Sequence, residues 1–181
     1  RAAGLQDRAN WDEVMELLPV YLDERGLAAF YPGTTGYPFL TQHILRVSKA
    51  LAWPVPEASR ARMLDALTGW LEGRVAFEDW KLRDTDDVHR RLEVMSLLAH
   101  YGRFRNAQLD TIRIDPPRWS TATLLNWLEL LRAAPSIPRR DERLAQAQSL
   151  LRSRLTLQGT VYALAEGEYS WWWLYENNES T

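Results

Sequence analysis

Apolar residues recur along most of the chain with the spacing of helices, and corners rich in proline, glycine and aromatic residues separate these stretches. The clearest example runs from Phe30 to Leu51. Gly33 and Gly36 allow the chain to reverse direction there, and Pro38 suits the first turn of a helix because its φ is already fixed. The helix that follows carries an apolar stripe that we expect to face the core. The stripe consists of Leu40, Ile44, Leu45, Val47 and Leu51.

A second helix is predicted before this corner. Asn10 can cap it, and Glu13 stands three residues further on, as in a capping box. Pro19 predicts a kink or a short break, and Gly26 is a suitable residue just beyond the end. Its apolar stripe consists of Trp11, Val14, Met15, Leu18, Tyr21 and Leu22. The corner is therefore predicted to join two amphipathic helices.

Two further helices follow the corner. The first is predicted from Pro56 to Gly73, antiparallel to the helix before it, because the loop between them is short and holds two prolines. The second begins at Asp86 or Asp87 and ends at Gly102. The apolar residues are Met63, Leu64, Leu67, Trp70 and Leu71 in the first helix, and Val88, Leu92, Met95 and Leu98 in the second.

The second half of the chain repeats this arrangement. A brief helical turn is predicted over Asn106 to Thr111, and Ser120 is predicted to cap a helix that is apolar almost all round and therefore surrounded by protein. A solvent-facing amphipathic helix follows from about Arg139 to Leu155. After Thr156 partial alternation predicts either two short strands or an extended aromatic loop. The residues of the apolar helix are Leu124, Leu125, Trp127, Leu128, Leu130 and Leu131.

The order of these helices predicts an all-α fold. The helix starts are unevenly spaced, whereas tetratricopeptide and ankyrin arrays repeat every 33 to 34 residues or so. Strongly apolar helices alternate with amphipathic ones, which predicts antiparallel helical hairpins in inner and outer layers, as in a partial α/α toroid. Residues 1–181 are expected to form part of one such domain. Asn178 to Thr181 resemble the start of another helix. We therefore expect the chain to be part of a longer protein, truncated at both ends.

Composition narrows the function classes. Lys and Arg number 22 against 24 Asp and Glu, and the signs are interspersed, so no basic field is available to hold a nucleic acid. No apolar run approaches the length of a membrane span, so we expect no membrane insertion by this segment. Cysteine is absent, which excludes disulfides, thiolate metal ligands and cysteine nucleophiles within the chain. We predict no catalytic, cofactor-binding or metal-binding residues.

The corner and its flanking helices read DERGLAAFYPG and then GYPFLTQHILRVSKALAWPVPEA. A helix that runs into a Gly-rich aromatic corner, followed by an apolar helix and a Val-Pro turn, resembles the thioester domain of bacterial alpha-2-macroglobulins. The stretch Asp86 to Tyr101 resembles the next inner helix of that domain, and YSWWWLYENNEST resembles its aromatic loop. The resemblance covers nearly the whole chain. It rests on the order of the segments, because each of them alone is a packing pattern.

The resemblance implies a structural and docking segment of a periplasmic protease trap, and not an enzyme. In such traps, cleavage of a bait region elsewhere in the chain triggers closure around the attacking protease. The implied partners are the remaining domains of the parent chain and, through them, target proteases. Family members are commonly lipid-anchored at the inner membrane. The family's Cys-x-Glu-Gln thioester motif would precede this segment, and no thioester can form within it because it lacks cysteine.

The three histidines are candidate functional residues. His89 opens a predicted helix beside Asp86 and Asp87, and an acid-flanked imidazole can assist acyl transfer. A histidine beside capping aspartates is more commonly structural, and the resemblance assigns His89 no role in thioester chemistry. His43 and His100 have apolar neighbours and no metal-ligand spacing. We therefore interpret them as packing or surface residues.

A second class of protein remains open, an α/α-toroid carbohydrate-active enzyme or sugar-binding domain. Such an enzyme would use two carboxylates. We favour a different interpretation of the acidic residues in this part of the chain, as helix caps and as part of a solvated connection. These residues are Glu78, Asp79, Asp84, Asp86 and Asp87. Trp171 to Trp173 could stack on sugars or make a protein contact, although we expect one or two of them to fill the end of the barrel and the third to cover a loop. The charged run from Arg139 to Arg143 is interpreted as a solvated helix face.

Overall fold

The structure is a computed structural model that describes the backbone of residues 2–75, 84–112, 115–158 and 161–164. Within these ranges the chain forms six α-helices, two short 3-10 helices and one two-stranded hairpin. The predicted helical class is confirmed, and the paired strands correspond to one of the two alternatives predicted for the stretch after Thr156. The α-helices are α1 (Ala2–Tyr21), α2 (Pro38–Leu51), α3 (Glu57–Leu71), α4 (Asp84–His100), α5 (Thr121–Ala133) and α6 (Arg140–Ser153). The 3-10 helices are Asn106–Thr111 and Pro116–Arg118, and the strands are β1 (Leu155–Gln158) and β2 (Val161–Leu164).

The chain divides into two compact units, and α4 contributes to both. The first unit comprises residues 1–81 and 97–111, and therefore contains α1, α2, α3 and the end of α4. The second unit comprises residues 82–96 and 112–181, with most of α4 together with α5, α6 and the hairpin.

Helix α1 begins earlier than predicted and runs through its proline. Asn10 lies inside the helix and is not its cap, and the helix continues past Pro19 to Tyr21. Pro19 has no backbone N–H to donate to the carbonyl oxygen of Met15, so this hydrogen bond is missing from the last turn of the helix. Met15 is buried as predicted. The predicted inward position of Val14 is wrong, because its side chain is 57% exposed.

The corner between α1 and α2 is held by the carboxylate of Asp23. Oδ1 accepts hydrogen bonds from the backbone N–H groups of Arg25 (3.0 Å) and Leu27 (2.9 Å). Oδ2 accepts from the backbone N–H of Gly36 at 3.0 Å and from the Arg25 guanidinium at 2.8 Å. Arg62 of α3 donates to the Asp23 carbonyl oxygen at 2.9 Å. One side chain thus joins both ends of the corner, and the backbone of the same residue links it to α3.

Gly26 serves this corner and does not terminate α1, contrary to the expectation from the sequence. Its φ is +91°, and a Cβ at this position would lie 2.7 Å from the backbone carbonyl oxygen of Arg62. A left-handed conformation and a backbone contact this close both favour glycine. The residue therefore allows the corner to approach α3.

The charge state of Asp23 makes the first unit sensitive to acid. Burial raises the pKa of the Asp23 carboxyl, but hydrogen bonds from Arg25, Leu27 and Gly36 outweigh burial, so the pKa lies below its ordinary value of 3.8. A carboxyl whose pKa is lower in the folded state stabilises the fold above its unfolded-state pKa. This contribution is lost as the pH falls through the folded-state pKa.

We expect Asp23→Ala to destabilise the first unit by about 2–4 kcal/mol at pH 7, because several hydrogen bonds to a charged group are lost. The difference from the unsubstituted protein should shrink as the pH falls below about 4. Denaturant unfolding between pH 7 and pH 2.5 measures both effects. Glu24→Ala is the matched control, because Glu24 is an exposed carboxylate in the same turn. A pH-independent difference for Asp23→Ala would contradict the proposed role of its charge.

Helix α2 begins at Pro38 as predicted, but it buries a different face from the one predicted. The buried residues are Pro38, Thr41, Gln42, Leu45 and Ser48. Of the expected apolar stripe only Leu45 is fully buried; Leu40, Ile44 and Val47 are half-buried and Leu51 is exposed. The expectation that this stripe faces the core is wrong.

Hydrogen bonds of two buried hydroxyls account for the orientation of α2. Thr41 Oγ1 accepts from the backbone N–H of Ala28 at 2.8 Å and donates to the Tyr37 carbonyl at 2.8 Å. At the other end of the helix, Ser48 Oγ donates to the carbonyl oxygen of Trp53 at 2.5 Å. Because a buried hydroxyl without a partner costs free energy, these bonds favour the face that carries Thr41 and Ser48.

Helices α2 and α3 pack against each other across the short proline loop, as the predicted hairpin requires. Trp11 of α1 contacts this loop, since its Nε1 donates to the carbonyl oxygen of Pro54 at 3.0 Å and its ring lies 5.8 Å from that of Trp53. The chain leaves α3 through Gly73, whose φ is +72°. Helix α3 provides more of the apolar core than α2, with Met63, Leu64, Ala66, Leu67 and Leu71 buried.

In the second unit, α5 is the central helix. Ser120 caps it as predicted, accepting a hydrogen bond from the backbone N–H of Thr123 at 3.1 Å. Leu125 is 52% exposed, so one side of α5 is in contact with solvent. The expectation that protein surrounds this helix on all sides is wrong at that position. The buried residues are Thr121, Thr123, Leu124, Trp127, Leu128, Leu130 and Leu131.

Helix α6 covers one side of α5 and lies near the surface. Ala147 is its one fully buried residue, and the Arg140 guanidinium donates to the carbonyl oxygen of Leu131 in α5 at 2.6 Å. Strands β1 and β2 follow and pair antiparallel, with Leu155 opposite Leu164. This confirms the strand alternative for residues 155–158 and 161–164. The rest of the aromatic stretch, including Trp171 to Trp173, lies outside the described residues.

Candidate functional site

A buried polar cluster surrounds His89 in the second unit. His89 of α4 is 5% exposed, and its Nδ1 lies 3.1 Å from Thr123 Oγ1 of α5. Thr123 Oγ1 is in turn 2.8 Å from Ser120 Oγ. On the other side of the ring, His89 Nε2 lies 3.5 Å from a carboxylate oxygen of Glu93. Asn126 Nδ2 approaches Nδ1 at 3.4 Å.

This order of hydroxyl, imidazole and carboxylate is the order of a nucleophile, a general base and an orienting acid. Two features argue against that chemistry. Thr123 is only 2% exposed, so no substrate carbonyl can reach its hydroxyl in this conformation. The 3.5 Å separation between His89 and Glu93 also exceeds a good hydrogen bond. The geometry is that of a buried polar network that joins α4 to α5, which agrees with the structural interpretation of His89.

We expect Thr123→Val to destabilise the second unit by about 1–3 kcal/mol, because the volume is kept while a buried hydrogen-bonding group is removed. Thermal unfolding measures the loss. Thr35→Val is the control, since Thr35 is exposed in the corner of the first unit, and its effect should remain within about 0.5 kcal/mol. Equal stability of the two variants would mean that the network contributes nothing.

The other predicted site residues do not assemble into a centre within the described part of the chain. Asp87 lies in the first turn of α4, where its carboxylate pairs with Arg91 at 2.6 Å. His43 and His100 are exposed. No group of three or more histidine, aspartate or glutamate side chains is placed to hold a metal ion among the described residues. Glu78 and Asp79 lie outside those residues, as do the side chains of Asp84 and Asp86.

In the charged run at the start of α6, Arg139, Asp141 and Glu142 are exposed, whereas Arg140 and Arg143 are half-buried. Arg139 pairs with Glu142 at 2.5 Å on the surface, as predicted. Arg143 is half-buried, with its guanidinium carbon 5.9 Å from the centre of the Trp127 ring. The expectation that Arg143 belongs to a solvated face is therefore wrong. An arginine over an indole ring combines packing with a cation–π attraction, which sequence spacing does not reveal.

The first unit has a different candidate site, an exposed aromatic surface at the corner. Phe30, Tyr37 and Phe39 form a triangle with ring centres 5.5–6.0 Å apart. Phe30 and Phe39 are exposed, and Tyr31 beside them is 72% exposed. Aromatic groups at this separation stabilise one another, and exposed aromatic clusters are candidate contact sites for other molecules. We call these four residues the aromatic corner.

The chain matches no protein-family model, no curated protein and no solved structure. Among the helices of the described residues, none is long and apolar enough to cross a bilayer.

Proposed function

We propose that the chain is a structural and docking segment of a bacterial alpha-2-macroglobulin, a broad-spectrum protease inhibitor that traps its targets, and that it is not an enzyme. The supporting observation is the continuity of the resembling stretch. DERGLAAFYPG lies in the corner, and GYPFLTQHILRVSKALAWPVPEA runs through α2 and the proline loop into α3. These residues form one hydrogen-bonded piece of the first unit, centred on Asp23 and Thr41.

The proposed architecture is a partial α/α toroid with inner and outer helices. The α5–α6 pair supports it, because α5 buries seven residues whereas α6 buries one. This difference fits an inner helix covered by an outer one. The α2–α3 pair provides a second hairpin with a short connection.

The proposed setting is the periplasm, with the parent protein lipid-anchored at the inner membrane. Cleavage of a bait region in the parent would trigger closure around the attacking protease. This segment would then take part through contacts with the neighbouring domains of the parent. The aromatic corner supports such a role, because exposed aromatic residues are the groups that contribute most to protein contacts.

The coding sequence on both sides of this segment tests the proposal. A series of β-sandwich domains with a bait region upstream is expected. The product of the complete reading frame should then be challenged with an endopeptidase. A protease enclosed by the closed trap should lose its activity on a large protein substrate and keep its activity on a small peptide, because closure excludes substrates by size.

An active-site-blocked form of the same protease is the control, because it cannot cleave the bait and should not be enclosed. A reading frame with a carbohydrate-active module, and glycoside hydrolysis that Asp87→Asn abolishes, would overturn the proposal. It would favour the α/α-toroid carbohydrate-active enzyme instead.

A further inference from the structure

After α4 the chain turns at Gly102, whose φ is +67°, and passes from α2 to α3 within the first unit. We call residues 101–111 the strap. Its first residue, Tyr101, contacts α2 twice. The Tyr101 hydroxyl donates to the carbonyl oxygen of Leu45 at 3.3 Å, and its ring centre lies 5.6 Å from Lys49 Nζ. The strap is therefore attached to α2 before it reaches α3.

Ion pairs attach the next part of the strap to α3. Arg103 Nη1 lies 2.8 Å from Asp65 Oδ1, in the middle of that helix. Arg105 pairs with Oε1 of Glu72, whose other carboxylate oxygen lies 2.7 Å from Arg74 Nη2. One carboxylate is thus shared by two guanidinium groups. Charged groups therefore connect the strap to the middle of α3 and to its C-terminal end.

Glu72 stands at a position where a carboxylate does not stabilise the helix itself. It is the C-cap residue of α3, and the carbonyl groups at the C-terminal end of a helix carry a partial negative charge. Its side chain is 26% exposed, as expected for a carboxylate between two guanidinium groups. What this carboxylate stabilises is therefore the position of Arg105, and with it the strap.

Apolar packing contributes less to the attachment of the strap than to the core of α3. All of residues 101–111 are described, and the one buried residue among them, Gln108, is polar. Phe104 and Leu109 are half-buried. Opening of the strap would therefore expose mainly polar groups to water. Opening of α3 would expose several fully buried apolar side chains, Leu67 among them, at a much larger cost in free energy.

We propose that the strap is an electrostatic latch, which opens as the ionic strength rises while α2 and α3 stay folded. The side chains of Arg74, Arg103 and Arg105 are 46–62% exposed, so salt reaches their ion pairs. Salt screens exposed charges beyond about 10 Å at 0.1 M and beyond about 3 Å at 1 M, but it does not screen apolar packing. Segments with few buried apolar contacts can open without global unfolding. The inference concerns this segment alone and is independent of the proposed trap function.

Hydrogen exchange measured by mass spectrometry tests the latch on the unsubstituted chain. Exchange of the strap amides should be about fivefold or more faster in about 0.5 M than in about 0.02 M sodium chloride, because the ion pairs are then screened. Exchange of α2 and α3 should be unchanged. A short unstructured peptide with the sequence of residues 101–111 corrects for direct effects of salt on the exchange chemistry.

Neutral variants provide the second part of the test. Asp65→Asn combined with Glu72→Gln should give fast exchange of the strap already at low salt. This variant should also lose the response to salt, because the ion pairs of the strap are absent at every salt concentration. Glu24→Gln is the matched control, since it removes an exposed carboxylate of the same unit that lies in the corner. Its strap should exchange as in the unsubstituted chain.

Circular dichroism checks that each variant is folded. Should the double variant fail to fold, Glu72→Gln alone should accelerate exchange of the strap but not of α3, because this carboxylate does not stabilise its own helix. Salt-independent exchange of the strap in the unsubstituted chain would overturn the proposal. Equal acceleration in the strap and in α3 would also overturn it, because the whole unit would then be unfolding. A folded variant whose strap exchanges no faster than that of Glu24→Gln would have the same consequence.

Discussion

A Gly36→Ala variant is expected to lose about 3 kcal/mol or more of folding free energy in the first unit, because the added methyl group has no room. A Cβ at Gly36 would lie 2.3 Å from the carbonyl oxygen of Leu27 and 2.5 Å from its Cβ. Leu27 cannot move aside easily. It is fully buried, and its backbone N–H and carbonyl groups both bond to Asp23. The corner would have to open and lose the hydrogen bond from Gly36 to Asp23.

Thermal or denaturant unfolding followed by circular dichroism measures this loss. Gly33→Ala is the matched control in the same corner, because a Cβ there meets nothing within 4 Å although φ is +73°. Its cost should be limited to the backbone term of about 1–2 kcal/mol for a left-handed residue. Equal losses for the two variants would show that the close approach of Gly36 to Leu27 is not a feature of the folded protein.

Leu128→Asp is expected to unfold the second unit. Leu128 lies in the middle of α5 with a side chain that is 5% exposed. An unpaired carboxylate at such a position costs several kcal/mol or more, which is comparable with the whole stability of a domain, about 5–15 kcal/mol. We expect the variant to be insoluble or to lack a cooperative unfolding transition.

Ser149→Asp introduces the same charge at an exposed position of α6, about one helical turn before Arg152. It should change stability by no more than about 0.5 kcal/mol. Arg143 would be an unsuitable control because it contacts Trp127. Tolerance of Leu128→Asp at the level of Ser149→Asp would mean that α5 is not the central helix of its unit.

Local signals predicted most elements of the fold. Pro38 marks the start of α2, Ser120 caps α5, and the predicted turn over Asn106 to Thr111 is a 3-10 helix with those bounds. Gly73 and Gly102 follow their helices with positive φ. These signals succeed because each acts on residues three or four positions away, within reach of the sequence pattern.

Features that depend on distant residues were predicted poorly. The hydrophobic pattern indicates the wrong face of α2, because it cannot include the bond between Thr41 and Ala28, 13 residues apart. The cap predicted at Asn10 is wrong because a good cap residue before an apolar stripe does not exclude a helix that starts earlier. Both errors come from weighing one local preference without the tertiary contacts that compete with it.

The candidate sites show the same limit. His89 is an unusual residue in the sequence, but its partner Thr123 is 34 positions away and belongs to another helix. The sequence offers no sign of that pairing beyond a threonine on the apolar helix that follows Ser120. The exposed aromatic corner could have been anticipated from the density of Phe30, Tyr31, Tyr37 and Phe39 around two glycines. What no local pattern reveals is which of these rings the fold leaves uncovered.

The hairpin connection between α2 and α3 has a consequence for how the chain reaches its folded state. The two helices follow each other directly, and the loop between Leu51 and Glu57 is short, so their contacts join residues close in sequence. Chains with local contacts fold quickly, and N-terminal parts can fold while synthesis continues. The corner, α2 and α3 can therefore assemble on the ribosome as soon as Leu71 has emerged. The first unit is completed only later, when residues 97–111 arrive.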